Sequence, residues 1–365
     1  MALTAGIVGL PNVGKSTLFN AITKSQVEAA NYPFATISPN VGVVKVNDIR
    51  LTQIREKVES EKVIPTTFEF TDIAGLVKGA SKGEGLGNQF LSNIREVDAI
   101  IHVVRCFDDS NVTHVSGRVD PIDDIEIIEI ELMLADLQSV ENRIKRVEKK
   151  ATIDKTAKAE FDMLSKCKAS LDNNKPLITV EFTDEELKLA KTFNFLTIKP
   201  MIYAANVDEE SLVDIDSNEH FKRVKAYAKA NNQSVVWLSA KVEEDLSSLE
   251  DDEKKEFLQD MGIEESGLDL LIEKSYELLN LQTFFTVGPK EIRAWTYKKG
   301  MKAPECAGVI HTDFQVGFIR AETYNFEDLM EYNTESNIKE AGKMRLEGKE
   351  YVVKDGDIMH FRFNV

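Results

Sequence analysis

Short apolar runs alternate with amphipathic stretches along most of this chain. Leu3 to Val8 is apolar and ends at Gly9, the pattern of a buried parallel strand. A helix is predicted from Ser16 to about Thr23. Two further strands, Val41 to Val46 and Thr67 to Thr71, flank an amphipathic helix predicted over Ile49 to Val58. Ala99 to Val104, Pro200 to Ala204 and Val235 to Leu238 add three more buried strands. Strands alternating with helices predict a doubly wound, mostly parallel α/β sheet.

Two stretches break that rhythm. From about Asp124 to Asn174 there is little Gly or Pro, and Ile127, Ile130, Leu134, Leu137, Ile144 and Val147 recur at helical spacing. A second helical pattern follows around Phe161, Leu164 and Leu171. Together they predict an antiparallel helical hairpin projecting from the sheet, with that stripe as its inner packing. After Leu281 the pattern shortens to strand-like pieces, Thr283 to Val287, Glu291 to Trp295 and Ile358 to Phe363. These are separated by turns such as Asp355-Gly356-Asp357, the marks of a small α+β module. The expected organisation is a first domain from 1–123 with 197–280, a helical insertion over 124–196, and a last module over 281–365.

Composition adds constraints. The chain has 365 residues, 42% of them hydrophobic, and a net charge of −17. No apolar run approaches the roughly 20 residues needed to span a bilayer, so no membrane partner is expected. Met1 to Ala5 carries no basic region, and no signal peptide is expected there. The three cysteines are widely spaced and form no CxxC pair. They predict free thiols in a reducing, cytoplasmic setting, and no structural zinc. An acidic protein repels nucleic acid unless its basic groups are concentrated. Between Glu141 and Leu171 they are, with nine Lys/Arg against five Asp/Glu.

The chemistry begins at Gly9-Leu10-Pro11-Asn12-Val13-Gly14-Lys15-Ser16, which fits G-x-x-x-x-G-K-[ST] between a predicted strand and a predicted helix. Glycines let the backbone turn and aim N–H groups at phosphate oxygens, and the helix N-terminus favours an anion. Asn12, Val13, Gly14, Lys15, Ser16 and Thr17 are therefore expected at the nucleotide, with Lys15 on the β and γ phosphates and Ser16 on Mg²⁺. Asp72-Ile73-Ala74-Gly75 matches D-x-x-G, placing Asp72 near Mg²⁺ and the Gly75 N–H near the γ-phosphate. Thr36, in Asn31-Tyr32-Pro33-Phe34-Ala35-Thr36, is the candidate to complete the metal shell. Where a glutamine would orient the attacking water this chain has Leu76, beside the glycine-rich stretch Lys78 to Gly87. His114, in the polar stretch after Ala99 to Val104, is the candidate substitute.

Guanine is commonly read by N-K-x-D. Here the motif is Asn206-Val207-Asp208-Glu209, with valine for lysine and the longer glutamate in the last position. A site without the usual aspartate can admit adenine, with Asn206 reading its N6 and N7; Ser239 and Ala240 fit the turn beside the base. Phe107 is a candidate either to stack on the base or to pack in the core.

Taken together, these motifs resemble the YchF family, the Obg-like ATPases within the translation-factor class of P-loop GTPases, over essentially the whole chain. Gly308-Val309-Ile310-His311-Thr312-Asp313-Phe314 resembles part of that family's TGS domain, a β-grasp module. The resemblance implies a P-loop NTPase G domain, an inserted helical coiled-coil hairpin and a C-terminal TGS domain. It implies hydrolysis of ATP in preference to GTP, His114 in place of the glutamine, and association with ribosomes or RNA in translation or stress response. Arg143, Lys149 and Lys150 would be phosphate contacts. A conventional GTP-hydrolysing assembly factor stays open as the alternative.

Overall fold

The computed structural model describes residues 3–25, 40–73, 86–114 and 117–364. Its strands in chain order are β1 (Thr4–Val8), β2 (Val41–Lys45), β3 (Lys62–Ile64), β4 (Thr67–Asp72), β5 (Ala99–Arg105), β6 (Met201–Asn206), β7 (Ser234–Leu238), β8 (Leu281–Val287), β9 (Glu291–Lys298), β10 (Phe318–Asn325), β11 (Arg345–Glu347) and β12 (Asp357–Phe363). The chain divides into two compact units, Met1–Val44 with Glu69–Ser275, and Lys45–Phe68 with Tyr276–Val365.

The first unit holds a six-stranded sheet in the order β2-β4-β1-β5-β6-β7. β1 runs parallel to both β4 and β5, and β5, β6 and β7 are parallel in turn. All seven residues of β5 and all six of β6 are buried, which explains their unbroken apolar runs. The chain leaves β1 toward one side of the sheet and later returns on the other. That reversal opens a crevice at the carboxyl end of β1, where the glycine-rich loop lies.

The insertion is helical as predicted. Asp120 caps a helix over Pro121–Val147, Asp154 caps Lys155–Asp172, and Thr183 caps Asp184–Thr192, its own N–H donating in return to the Glu186 carboxylate. Val140, Leu164, Cys167, Leu171, Leu177 and Phe195 give these helices a core of their own. The expected inner stripe holds in the second half of the first helix, where Leu137, Ile144 and Val147 pack half-buried against that core, and fails nearer its start. Ile130 and Leu134 are 47% and 45% exposed, while Ile125, Ile128, Leu132 and Val140 are buried. The buried face also carries Asp124 and Asp136, and these acids hid it from an apolar-periodicity reading. Asp136 accepts from Leu196 N (2.9 Å), Thr197 N (2.8 Å) and Thr197 Oγ1 (2.7 Å), fastening the end of the insertion to its first helix. Arg143 lays its guanidinium over the Phe193 ring at 3.8 Å, so part of the basic stretch serves internal packing.

The second unit is a mixed sheet in the order β11-β10-β12-β8-β9-β3. β8 and β9 form an antiparallel pair, β12 runs parallel to β8, and β3 runs parallel to β9. Ala303, Cys306 and Ala307 from the helix Ala303–Ile310 pack in one core cluster with Phe284 and Met359. The helix Ile49–Lys57 exists where predicted but belongs here, not to the first domain as expected. Its buried Leu51 and Ile54 share a core with Phe285, Val287 and Ile292. Residues 45–68 thus leave the expected 1–123 range because their apolar side chains and β3 find partners in the C-terminal module.

Asp136→Ala leaves two buried N–H groups without an acceptor. We expect a loss of about 2–4 kcal/mol in urea unfolding.

Candidate nucleotide-binding site

The loop from Gly9 to Gly14 turns sharply between β1 and the helix Lys15–Lys24. Asn12 (φ 64°) and Gly14 (φ 95°) are both left-handed, the region open to glycine and tolerated by asparagine. Gly14 is further constrained by space, since a Cβ there would sit 2.1 Å from Asn206 Nδ2. The first helical turn opens on Lys15, its N–H groups presented as an anion site requires. Ser16 is exposed, and Thr17 is partly buried in the cleft wall. The Lys15 ammonium pairs with the Asp72 carboxylate at the end of β4, so the two motifs converge. Thr36, Gly75, Leu76 and the glycine-rich stretch up to Gly85 lie outside the described residues.

Asn206 lines the cleft and is also engaged inside the protein. Its side chain is 4% exposed, donates from Nδ2 to Val13 O (2.9 Å) and accepts at Oδ1 from Ala240 N (2.9 Å). An amide held at both ends is a clamp between the phosphate loop and the Ser239–Ala240 turn; it retains a second N–H and a second lone pair. Cys106 N bonds Asn206 O (2.8 Å) and Val207 N bonds Leu238 O (2.9 Å), so the ends of β5, β6 and β7 are registered together. Asp208 is also committed, its carboxylate capping the helix Glu209–Val213 through Ser211 N at 2.8 Å. Glu209 occupies the exposed first turn of that helix.

These loops enclose an open cleft of about 1230 Å³ beside the phosphate loop, with Gly14, Phe107, Val207, Glu209 and Lys241 among its walls. The stretch Phe107 to Val112 is organised by Arg105, which the motif reading missed. Arg105 is 1% exposed and donates to Phe107 O (3.1 Å), Asp109 O (3.2 Å) and Val112 O (3.0 Å). Its guanidinium also lies 4.6 Å from the centre of the Phe107 ring, fixing that half-buried side chain in the wall. A charged residue closing the apolar run Ala99 to Val104 was the available signal. Asn218, also missed, ties Cys106 O (2.9 Å) to Ser211 Oγ (3.0 Å) and has no sequence signature of its own.

His114 is not turned toward the cleft. It is 6% exposed, and its Nε2 lies 3.0 Å from Asp124 Oδ2 on the first turn of Pro121–Val147. Burial holds the Asp124 carboxyl above its usual range, partly offset by His114. The phosphate loop nevertheless reaches this neighbourhood, because Asn12 Nδ2 donates to Thr113 O at 3.0 Å.

Among the described residues no group of three or more His, Cys, Asp or Glu could hold a metal ion by itself. Ser16 and Asp72 offer two hard oxygen donors beside the anion site. That fits Mg²⁺, which uses one or two protein oxygens and completes its shell with substrate phosphates and water. Among the described residues no helix is long and apolar enough to cross a membrane.

A β1–loop–helix anion site at the switch point of a doubly wound sheet, with Asp72 at its side, defines a P-loop nucleotide-binding protein. A family model described as a 50S ribosome-binding GTPase matches residues 4–151. Another, YchF-GTPase_C, described as a protein of unknown function, matches residues 281–364. The chain is 61% identical to the ribosome-binding ATPase YchF of Bacillus subtilis and 56% identical to that of Escherichia coli O157:H7. Both alignments cover 100% of each chain. The solved structure of the Schizosaccharomyces pombe YchF GTPase superposes with a TM-score of 0.90 at 39% identity, over 99% of this chain and 97% of that one. The chain belongs to the YchF family.

One titration at the site's edge is testable. Glu243, in the helix Ala240–Leu246, is 5% exposed and accepts from Gly267 N at 2.8 Å; burial pushes its carboxyl up to about 7. From about pH 4.5 to 7 the folded chain keeps a proton that the unfolded chain has released, so stability falls as pH rises through that window. Melting curves across it should show a downward slope in Tm that Glu243→Gln reduces; equal slopes would assign the effect to other groups.

Proposed function

We propose that this chain is a Mg²⁺-dependent ATPase, taking ATP in preference to GTP, that acts as a nucleotide switch on the ribosome in the cytoplasm. The observation that carries the nucleotide preference is the base-side geometry. Asp208 already accepts from Ser211 N, Asn206 is held by Val13 and Ala240, and the residue in the guanine-reading position is the longer Glu209. A site built to bond guanine N1–H and N2–H₂ needs a free, well-placed carboxylate, and none of these provides the usual one. Relatives at 61% and 56% identity are ribosome-binding ATPases by name, which supports both the nucleotide and the ribosome.

In this reading the N–H groups of Asn12 to Thr17 cradle the phosphates, and Lys15 exchanges Asp72 for the β and γ oxygens. Ser16 and Asp72 would hold Mg²⁺, with Thr36 a further candidate for the ion and the Gly75 N–H for the γ-phosphate. Bound there, the ion offsets phosphate charge. Val207, Glu209, Ser239 and Ala240 border the base, while Asn206 keeps that border in register with the phosphate loop. His114 orients the attacking water once its ring leaves Asp124. The basic stretch around Lys149 and Lys150 meets ribosomal phosphates, and that contact weakens as salt rises.

Equilibrium binding of ATP and GTP, each with Mg²⁺, tests the preference. ATP should bind more tightly, and tighter GTP binding would return Glu209 to guanine reading. His114→Ala should lower turnover about a hundredfold or more with nucleotide affinity kept. Undiminished turnover at unchanged affinity would remove His114 from the reaction.

A further inference from the structure

Two apolar side chains at the cleft belong to none of the nucleotide motifs. Val213 ends the short helix that follows Asp208 and is 69% exposed. Met261 follows the helix Asp251–Asp260 and packs, half-buried, against a small cluster of Val242, Leu246 and Leu258. Leu212 rests on the same cluster, so the helix bearing Val213 and the turn bearing Met261 are fastened to one apolar base. Both residues line the cleft.

Their setting makes them unusual. Asp108, Asp208, Glu209 and Glu210 line the same cleft, and the Met261 turn closes an acidic helix. Hydrophobic groups left open to water among carboxylates suit a flat apolar ligand surface better than solvent. Two of the polar groups lining the cleft are engaged inside the protein. Asn206 clamps two loops and Asp208 caps a helix, whereas Phe107 is held in the wall by the Arg105 guanidinium.

We infer that Met261 and Val213 form an outer apolar wall of the base slot, so that the purine ring of a nucleoside triphosphate is held chiefly by enclosure. This rests on the nucleotide-binding reading above and adds residues from a segment that reading does not use. Enclosure by a thioether and a branched methyl group is insensitive to hydrogen-bond polarity, and Met261 can adapt its unbranched chain to the ring. A base slot of this kind admits adenine without an acceptor–donor pair dedicated to it.

The test compares ATP with inorganic tripolyphosphate, which carries the phosphates without the base, both with Mg²⁺. Met261→Gln keeps chain length and removes the apolar contact; Val213→Ser acts from an exposed position with little packing to lose. Each should weaken ATP about tenfold, the discrimination that a lost apolar contact in a pocket supplies, while tripolyphosphate affinity stays the same. Met261→Leu should keep ATP affinity within about twofold of the unaltered protein. Unchanged ATP affinity in both Met261→Gln and Val213→Ser would overturn the wall. An equal loss for tripolyphosphate would also overturn it, by tracing the effect to the phosphate loop. If the unaltered protein bound ATP no more tightly than tripolyphosphate, the base-binding reading itself would fall.

Discussion

The Asn206 carboxamide holds the first unit's ligand-facing end together. Three segments distant in sequence, the phosphate loop at Val13, the end of β6 and the turn at Ala240, meet on one side chain that is 4% exposed. A buried amide is stabilising only when both ends find partners, so the geometry is all-or-none. The clamp also dictates its neighbour, because the space a Cβ would need at position 14 is filled by Asn206 Nδ2. The glycine that gives the loop its turn is therefore required from two sides, by backbone conformation and by the amide pressed against it.

Other buried polar groups extend that logic outward. Arg105 is a charged side chain at the end of an apolar strand, and burial of a guanidinium is tolerable only because three carbonyls of the following loop accept from it. The loop is in turn shaped by the arginine, so strand, loop and cleft wall form one unit. Asp136 and Glu243 act alike at longer range, each accepting backbone N–H groups from a segment far along the chain. Such contacts contribute more to fixing one arrangement than to net stability.

Much of this architecture was legible in the chain. Buried parallel strands announce themselves as apolar runs, and G-x-x-x-x-G-K-S between a strand and a helix admits few other readings. What escaped has identifiable causes. Ile130 and Leu134 looked like an inner stripe because apolar periodicity cannot see that Asp124 and Asp136 have buried partners on the opposite face. The helix Ile49–Lys57 was recognised as a helix, but its choice of core depends on Phe285, Val287 and Ile292, more than two hundred residues later. His114 was found by its place in a polar stretch, whereas its inward orientation depends on a carboxylate ten residues on. Asn206 was recognised from its motif position, which leaves open that it also clamps the phosphate loop to the Ala240 turn.

The excursion of residues 45–68 has a consequence for how this chain can be dissected. The polypeptide crosses between its two compact units three times, after Val44, after Phe68 and after Ser275. A fragment beginning at Tyr276 would therefore carry a sheet missing its β3 border and a core missing Leu51 and Ile54. Neither unit is a contiguous segment, and no single proteolytic cut yields both intact. Evolution by simple terminal fusion or loss of the last module is correspondingly restricted, because the module's missing piece is stitched between two strands of the nucleotide-binding sheet.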